Sequence, residues 1–264
     1  MTAPFSFDTL LIEKEDQIAK VTLNRTDVLN ALDRQTIADL AAAMAELRTD
    51  DAIRGVILTG VGDTAFAVGA DIDELSRLTA SEAEAMAREG QALMDLIESL
   101  GKPVIAALNG YAIGGGCELA LACTMRIAAE HARFAQPEVR IGLIPGFGGT
   151  QRLPRLIGKG RALQIILSGD MIDAQEAYRI GLIDEIVPKD KLIGRAEALL
   201  WTISTNAPQA VRFALEAVNS GMDMTQAQGL ELEAALFGRA AATEDAKEGA
   251  AAFLARRKPR FTGQ

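Results

Sequence analysis

The chain has 264 residues, 49% of them hydrophobic and 24% charged, with 36 acidic against 27 basic side chains and a formal charge of −9. That length suits one large domain, or a domain with a helical appendage, and buries roughly three quarters of the surface an unfolded chain exposes. The composition is globular, and so acidic a surface lacks the basic stripe that nucleic acid or an anionic membrane would require. Two cysteines, Cys117 and Cys123, are too few for a disulfide framework or a zinc site. The single histidine, His131, nearly excludes histidine-rich metal centres and would have to carry any Ser-His-Asp arrangement alone. No apolar run reaches the ~20 residues of a membrane span, and residues 1–14 resemble neither a secretory signal nor a transit peptide. A soluble, cytoplasmic protein is expected.

Residues 17–23 place Ala19, Val21 and Leu23 on one face of a half-buried strand. Asp33 is the expected N-cap of a helix in which Ile37, Leu40, Ala41, Met44 and Leu47 recur at helical spacing. GVILT (55–59) and PVIAAL (103–108) are short, continuously apolar runs, the pattern of parallel strands covered on both faces. Between them, Ser81-Glu82-Ala83-Glu84 reads as a capping box that opens a helix running to about Leu100. On that helix Met94, Leu96 and Ile97 read as core residues. Residues 124–129 form another strand, and strands alternating with helices predict an α/β domain with parallel pairing. Asp173-Ala174-Gln175-Glu176 is a second capping box, with Gly181 as the C′ residue of a short helix. After Val187 the pattern is helical throughout, with segments at 192–204, 208–219, 224–237 and 243–255. The chain contains no internal sequence repeat.

Glycines concentrate in three groups between residues 60 and 160. The middle group, within Asn109-Gly110-Tyr111-Ala112-Ile113-Gly114-Gly115-Gly116-Cys117-Glu118, follows the strand ending at Leu108 and precedes an apolar stretch that reads as a buried helix. Glycines at such a junction let a backbone or ligand approach closely, and the first helical turn offers unpaired N–H donors. The run is not G-x-G-x-x-G, and no Lys-Ser/Thr follows it, so neither a dinucleotide fingerprint nor a P-loop fits. A close-packed turn and an oxyanion site both remain open. Glu118 beyond the glycines and Glu138 after Phe134-Ala135-Gln136-Pro137 are two carboxylates that could divide acid and base roles, although spacing alone does not bring them together. His131 reads as a surface or strand-edge residue and Cys117 as a small buried one.

These residues closely resemble the crotonase (enoyl-CoA hydratase/isomerase) family. The likeness runs through LNRTDVLNAL (23–32), AFAVGADIDEL (65–75), KPVIAALNGYAIGGGCELAL (102–121), FAQPEVRIGLIPGFGGTQRLPRLIGKGRA (134–162) and TEDAKEGAAAFLARRKPRF (243–261). The resemblance implies a crotonase-like α/β spiral of ββα units over residues 1–195, with a helical trimerisation region over 196–264, assembled as a homotrimer or homohexamer. It implies an acyl-CoA thioester as substrate and no further cofactor or metal. The backbone N–H groups of Ala70 and Gly115 would bind the thioester oxygen. Glu118 and Glu138 would act on water, with Glu138 as principal acid/base and Glu118 as its water-orienting partner. Keeping both acids favours a hydratase adding water to trans-2-enoyl-CoA in fatty-acid β-oxidation or related acyl-CoA catabolism. Another enolate reaction, such as isomerisation, and a non-catalytic acyl-CoA-binding role are the alternatives. CoA contacts are expected at Arg25, at Val68 through its backbone carbonyl, and at Lys258 within the basic tail Arg256, Arg257, Lys258 and Arg260. That tail would act across a subunit boundary; a solvated C-terminus is the plainer reading. Thr26-Asp27 departs from the family pattern and weakens a CoA contact there, while Phe147 in PGFGGT is expected to shorten or reshape the acyl pocket.

Overall fold

A computed structural model describes residues 7–264. The chain begins with strands β1 (Leu10–Glu15) and β2 (Ile18–Leu23) and helix α1 (Arg34–Thr49), then β3 (Gly55–Gly60), β4 (Ala65–Ala67), the single turn α2 (Ile72–Leu75) and α3 (Ala80–Glu98). It continues through β5 (Val104–Leu108), β6 (Tyr111–Ile113), α4 (Gly115–Ala122), β7 (Met125–Ala129), β8 (Arg133–Ala135), α5 (Gly149–Ile157) and α6 (Lys159–Ser168). Then come β9 (Ile172–Asp173), α7 (Ala174–Arg179), β10 (Glu185–Val187), α8 (Leu192–Ser204), α9 (Pro208–Gly221), α10 (Gln226–Ala241) and α11 (Glu244–Leu254).

One sheet has the order β1-β2-β3-β5-β7-β10 and a second β4-β6-β8-β9. Three times in succession the chain makes a strand in the first sheet, a strand in the second, and a helix: β3–β4–α3, β5–β6–α4 and β7–β8–α5. Each turn advances one position along both sheets, which is the expected spiral of ββα units, here built from units with no common sequence. Pairing is parallel in both sheets except for β1 with β2 and β8 with β9.

The apolar runs alternate between two cores, as the two-residue period of a strand requires. Val56 and Leu58 of β3, with Val104, Ala106 and Leu108 of β5, join the large core between the sheet and α1, α3 and α4. Ile57, Ile105, Ala107 and Ile127 point the other way, against Leu192, Ala196 and Leu200 of α8. The expected boundary between residues 195 and 196 falls within α8, which packs along its length on the first sheet. Asp33 caps α1 by accepting from the Thr36 N–H at 2.8 Å, as expected. The capping box of α3 is two residues earlier than the sequence pattern suggested: Thr79 and Glu82 bond reciprocally, and Ser81 lies inside the helix. At α7, Asp173 accepts from the Glu176 N–H, but the Glu176 carboxylate turns to Arg179 instead of closing the box.

Candidate active site

Because β4, β6 and β8 are adjacent and parallel, the loops leaving their carboxyl ends emerge side by side along one edge of the second sheet. These loops carry Val68-Gly69-Ala70, Gly114-Gly115 and Gln136-Pro137-Glu138. The Gly114 N–H donates to the Ala135 carbonyl at 2.9 Å, lacing two of them together. Gly114 has φ +54° and ψ −126°, a conformation side-chain-bearing residues avoid, and it turns the chain from β6 directly into α4. An ideal Cβ on Gly115 would lie 3.5 Å from the Ala70 nitrogen, and one on Gly69 would lie 3.5 Å from the Gly115 nitrogen. The two amides expected to form an oxyanion hole are therefore neighbours. Gly115 opens α4, so its N–H has no intrahelical acceptor. Among the described residues the Ala70 N–H makes no hydrogen bond to the protein; the adjacent contact is Leu32 N–H to the Gly69 carbonyl at 2.7 Å.

Every residue of α4 is buried, and Glu118 is its only charge. Glu118 is 2% exposed, yet its Oε1 accepts from the N–H groups of Phe147 at 2.8 Å and Gly149 at 2.6 Å. These donors come from the glycine-rich segment before α5. Position 149 has no room for a side chain, since a Cβ there would stand 2.9 Å from Glu118 Oε1. Burial, with the charge of Glu138 adding to it and the backbone donors from Gly149 and Phe147 partly offsetting it, pushes the Glu118 carboxyl up to about 7. Burial also raises Glu138, which is half-buried on a 3-10 turn after β8. Glu138 Oε1 lies 2.7 Å from where a Cβ on Gly114 would be, next to the oxyanion amides.

Gln136 is fully buried at 0% exposure, and the sequence pattern does not single it out as functional. With its amide nitrogen turned to Glu138, it donates to both carboxylate oxygens at 3.2 Å. Its side chain also reaches the space beside Gly149 and Glu118, so it lies between the two acids. The sequence signal is a polar residue between Phe134-Ala135 and the proline that precedes Glu138. Phe147 and Gly149 contribute through backbone N–H groups, for which side-chain identity carries no signal.

A family model described as enoyl-CoA hydratase/isomerase matches residues 13–264. The chain belongs to the enoyl-CoA hydratase/isomerase family. It is 43% identical over 256 residues to the crotonyl-CoA hydratase of Syntrophomonas wolfei, covering 97% of this chain and 98% of that one. It is also 43% identical over 251 residues to the short-chain-enoyl-CoA hydratase of Clostridium acetobutylicum, covering 95% and 96%. Among solved structures, an enoyl-CoA hydratase from Bacillus anthracis superposes with a TM-score of 0.94 at 38% identity, covering 97% of this chain and all of that one.

Of the family's other expected contacts, Val68 lies on the same loop as Ala70, and Arg25 and Lys258 lie elsewhere. Val68 is half-buried beside Gly69. The Arg25 guanidinium is committed within the protein: Nη1 donates to the Ala31 carbonyl at 2.6 Å, and Nη2 lies 2.9 Å from Asp33 and 3.9 Å from Asp71. Lys258 stands exposed on the C-terminal tail. There the Arg257 guanidinium is paired with both oxygens of Glu248, while Asp245 accepts from the N–H groups of Thr262 and Gly263. Arg257 and the Arg260 N–H pull Glu248 down to about 2. Cys117 is buried and its thiol is pushed up to about 12, well away from a reactive thiolate. His131 is exposed and contacts the Asp63 carbonyl. No helix among the described residues is long and apolar enough to cross a membrane.

Proposed function

We propose that this protein hydrates the double bond of trans-2-enoyl-CoA thioesters to give 3-hydroxyacyl-CoA, at the edge formed by Ala70, Gly115, Glu118 and Glu138. The observation that carries the reading is the approach of two unpaired amides beside two carboxylates, one buried and one half-buried, both of raised pKa.

A conjugated thioester resists attack by water until its carbonyl oxygen can accept charge. The N–H groups of Ala70 and Gly115 stabilise that oxygen as the enolate forms, and each donor of this kind is worth ~10²–10³ in rate. The water oxygen bonds to the β-carbon, and the π electrons move onto the thioester. One carboxylate takes a proton from the water, and a carboxyl group delivers a proton to the α-carbon, so the net addition is one H and one OH. A carboxyl raised by burial above its ordinary range holds a proton more readily and is better matched to both accepting and releasing it. Glu138, held by the Gln136 amide, serves as principal acid/base, and Glu118, anchored to the backbone, orients the water.

The relatives named for crotonyl-CoA and short-chain enoyl-CoA support a short acyl group. The C-terminal helices leave Phe237 74%, Phe253 83% and Leu254 82% exposed, apolar surface that supports assembly into trimers. Arg256 and Lys258, which form no ion pairs among the described residues, are the cations that would meet CoA phosphates from a neighbouring subunit. Loss of enoyl absorbance on mixing with crotonyl-CoA tests the activity. Glu138→Gln should lower kcat by ~10²-fold or more while saturated butyryl-CoA still binds. Tight butyryl-CoA binding by wild type with no loss of absorbance would instead favour a non-catalytic acyl-CoA-binding role.

A further inference from the structure

The amides of Phe147 and Gly149 grip Glu118 only while the segment that carries them keeps its orientation. Two side chains fasten that segment. Gln91 Nε2 of α3 donates to the Gly146 carbonyl at 2.9 Å, and Arg152 Nη1 of α5 donates to the Phe147 carbonyl at 3.4 Å. Phe147 therefore receives Arg152 on its carbonyl and gives its N–H to Glu118.

Arg152 can fold back over the start of its own helix because position 148 carries no side chain. Gly148 has φ +111°, and a Cβ there would collide with Arg152 Nη1. The rest of the guanidinium is clamped by α3: Nη2 donates to Asp95 at 2.5 Å and to Glu98 at 3.0 Å, and Nε donates to Glu98 at 3.2 Å. The arginine side chain is only 16% exposed, so this is not a solvated surface pair. Asp95 and Glu98 lie in the last turn of α3, which holds no basic residue. Acids at the negative end of a helix are locally unfavourable, and the cation arriving from α5 accounts for them.

We propose that Arg152 is a positioning residue for Glu118: clamped by Asp95 and Glu98, its guanidinium fixes the peptide whose amides aim that acid at the reacting water. The kinetic consequence rests on the hydratase reading above; the chain of contacts from α3 to Glu118 does not. Burial dominates the proton affinity of Glu118 and raises it, and the Arg152 charge opposes that rise together with the two amides. The other titratable groups facing Glu118 are Glu138, on the turn after β8, and the neutral Cys117 thiol beside it on α4. Asp95 and Glu98 enter through Arg152, whose charge they neutralise. Arg126, the buried cation of β7, is bound to Asp184 and to the Leu182 and Cys123 carbonyls.

The test compares wild type, Arg152→Met, Arg152→Lys and a double variant, Asp95→Asn with Glu98→Gln. Each is assayed on crotonyl-CoA across pH 4.5–8 and titrated with urea at both ends of that range. Arg152→Met should lower kcat by about tenfold or more, with KM changed by less than about threefold, because a misaimed acid loses transition-state stabilisation and not binding. Its acid limb, where Glu118 takes up a proton, should move to higher pH, since the opposing charge is gone. Arg152→Lys keeps the charge without the fork and should restore the limb but only part of kcat. The double variant strips the neutralising acids and should move the limb the other way, to lower pH. In urea, the stability lost between pH 4.5 and pH 8 should be larger in Arg152→Met and smaller in the double variant than in wild type. Both differences should vanish in a Glu118→Gln background. If the limb moves the same way in Arg152→Met and the double variant, or the urea differences persist without Glu118, Arg152 is only a strut between α3 and α5. Should Arg152→Met fail to fold, the double variant, changed only at exposed positions, decides by the direction of its limb and its urea difference. Wild type that hydrates no ester, with the Glu118-dependent urea differences intact, would sink the hydratase reading and leave the positioning of Glu118 standing.

Discussion

Glu118 Oε1 receives the Gly149 N–H at 2.6 Å, and this bond explains how a carboxylate survives inside an otherwise apolar helix. Its second donor, Phe147 N–H, reaches the same oxygen, so the backbone before α5 is shaped around one acid. Replacing Glu118 with Gln keeps an oxygen for both donors, whereas Ala leaves two buried N–H groups unpaired, at about 1–3 kcal/mol each. Glu118→Ala should therefore lose activity and unfold at clearly lower denaturant concentration, while Glu118→Gln loses activity alone. Equal destabilisation of the two variants in urea titrations would show that the donors have other acceptors.

The raised pKa of Glu118 has a definite sign in stability. The unfolded carboxyl loses its proton near 4.5, while the folded one keeps it to about 7. Across that window the folded state binds more protons, so stability falls as pH rises, by about 3 kcal/mol once both forms are ionised. Glu118→Gln removes that dependence. Denaturation at pH 4.5 and pH 8 should show the variant gaining on wild type at the higher pH. A constant difference between the two would mean Glu118 is ionised in the folded protein throughout.

The Arg25 guanidinium, for which a CoA contact is expected, braces Ala31 and Asp33 on either side of Leu32 and faces Asp71 beyond Ala70. Leu32 and Ala70 form a parallel bridge, so the arginine clamps the strand that holds an oxyanion amide. Arg25→Ala should lower kcat by about tenfold, a loss of about 1.4 kcal/mol in transition-state stabilisation. It should do so equally for crotonyl-CoA and for crotonyl-pantetheine, which lacks the nucleotide. Arg25→Lys should recover part of the loss. A defect confined to the CoA ester and expressed in KM would return Arg25 to the phosphates.

The unpaired cations of the tail give the opposite pattern. Arg256→Ala and Lys258→Ala should raise KM for crotonyl-CoA about threefold or more at low salt and less at high salt, because exposed charges are screened. Crotonyl-pantetheine should be unaffected. Arg257→Ala should be milder than either, since Glu248 already neutralises that guanidinium. Removing residues 256–264 should likewise raise KM for CoA esters. Unchanged KM in intact oligomers would leave the tail no part in binding.

The long elements were legible because their signals are local. β3 and β5 are apolar runs covered on both faces, and the four C-terminal helices show a regular period with a cap at Thr243 and a Pro at the start of α9. β4, β6 and β8 are three residues each, too short to display a period, and exist only through pairing with distant segments. β1 was missed because its exposed outer face dilutes the alternation, and α5 because Pro154 sits inside it. Glu118 and Glu138 could be named from their residue type, but not their proximity, which depends on those short strands lining up. The oxyanion amides are backbone groups, so the residues alone gave a glycine run with two readings and the family resemblance supplied Ala70. Gln136 illustrates the remaining gap: its role follows from a strand end facing one acid on α4 and another two residues further along its own loop.

The most direct measurement is a crystal structure of the protein with 3-hydroxybutyryl-CoA. The thioester oxygen should lie about 2.7–3.1 Å from the nitrogens of both Ala70 and Gly115, with the 3-hydroxyl between the carboxylates of Glu118 and Glu138. A thioester oxygen bound elsewhere, or a hydroxyl that reaches neither acid, would contradict hydration at this site.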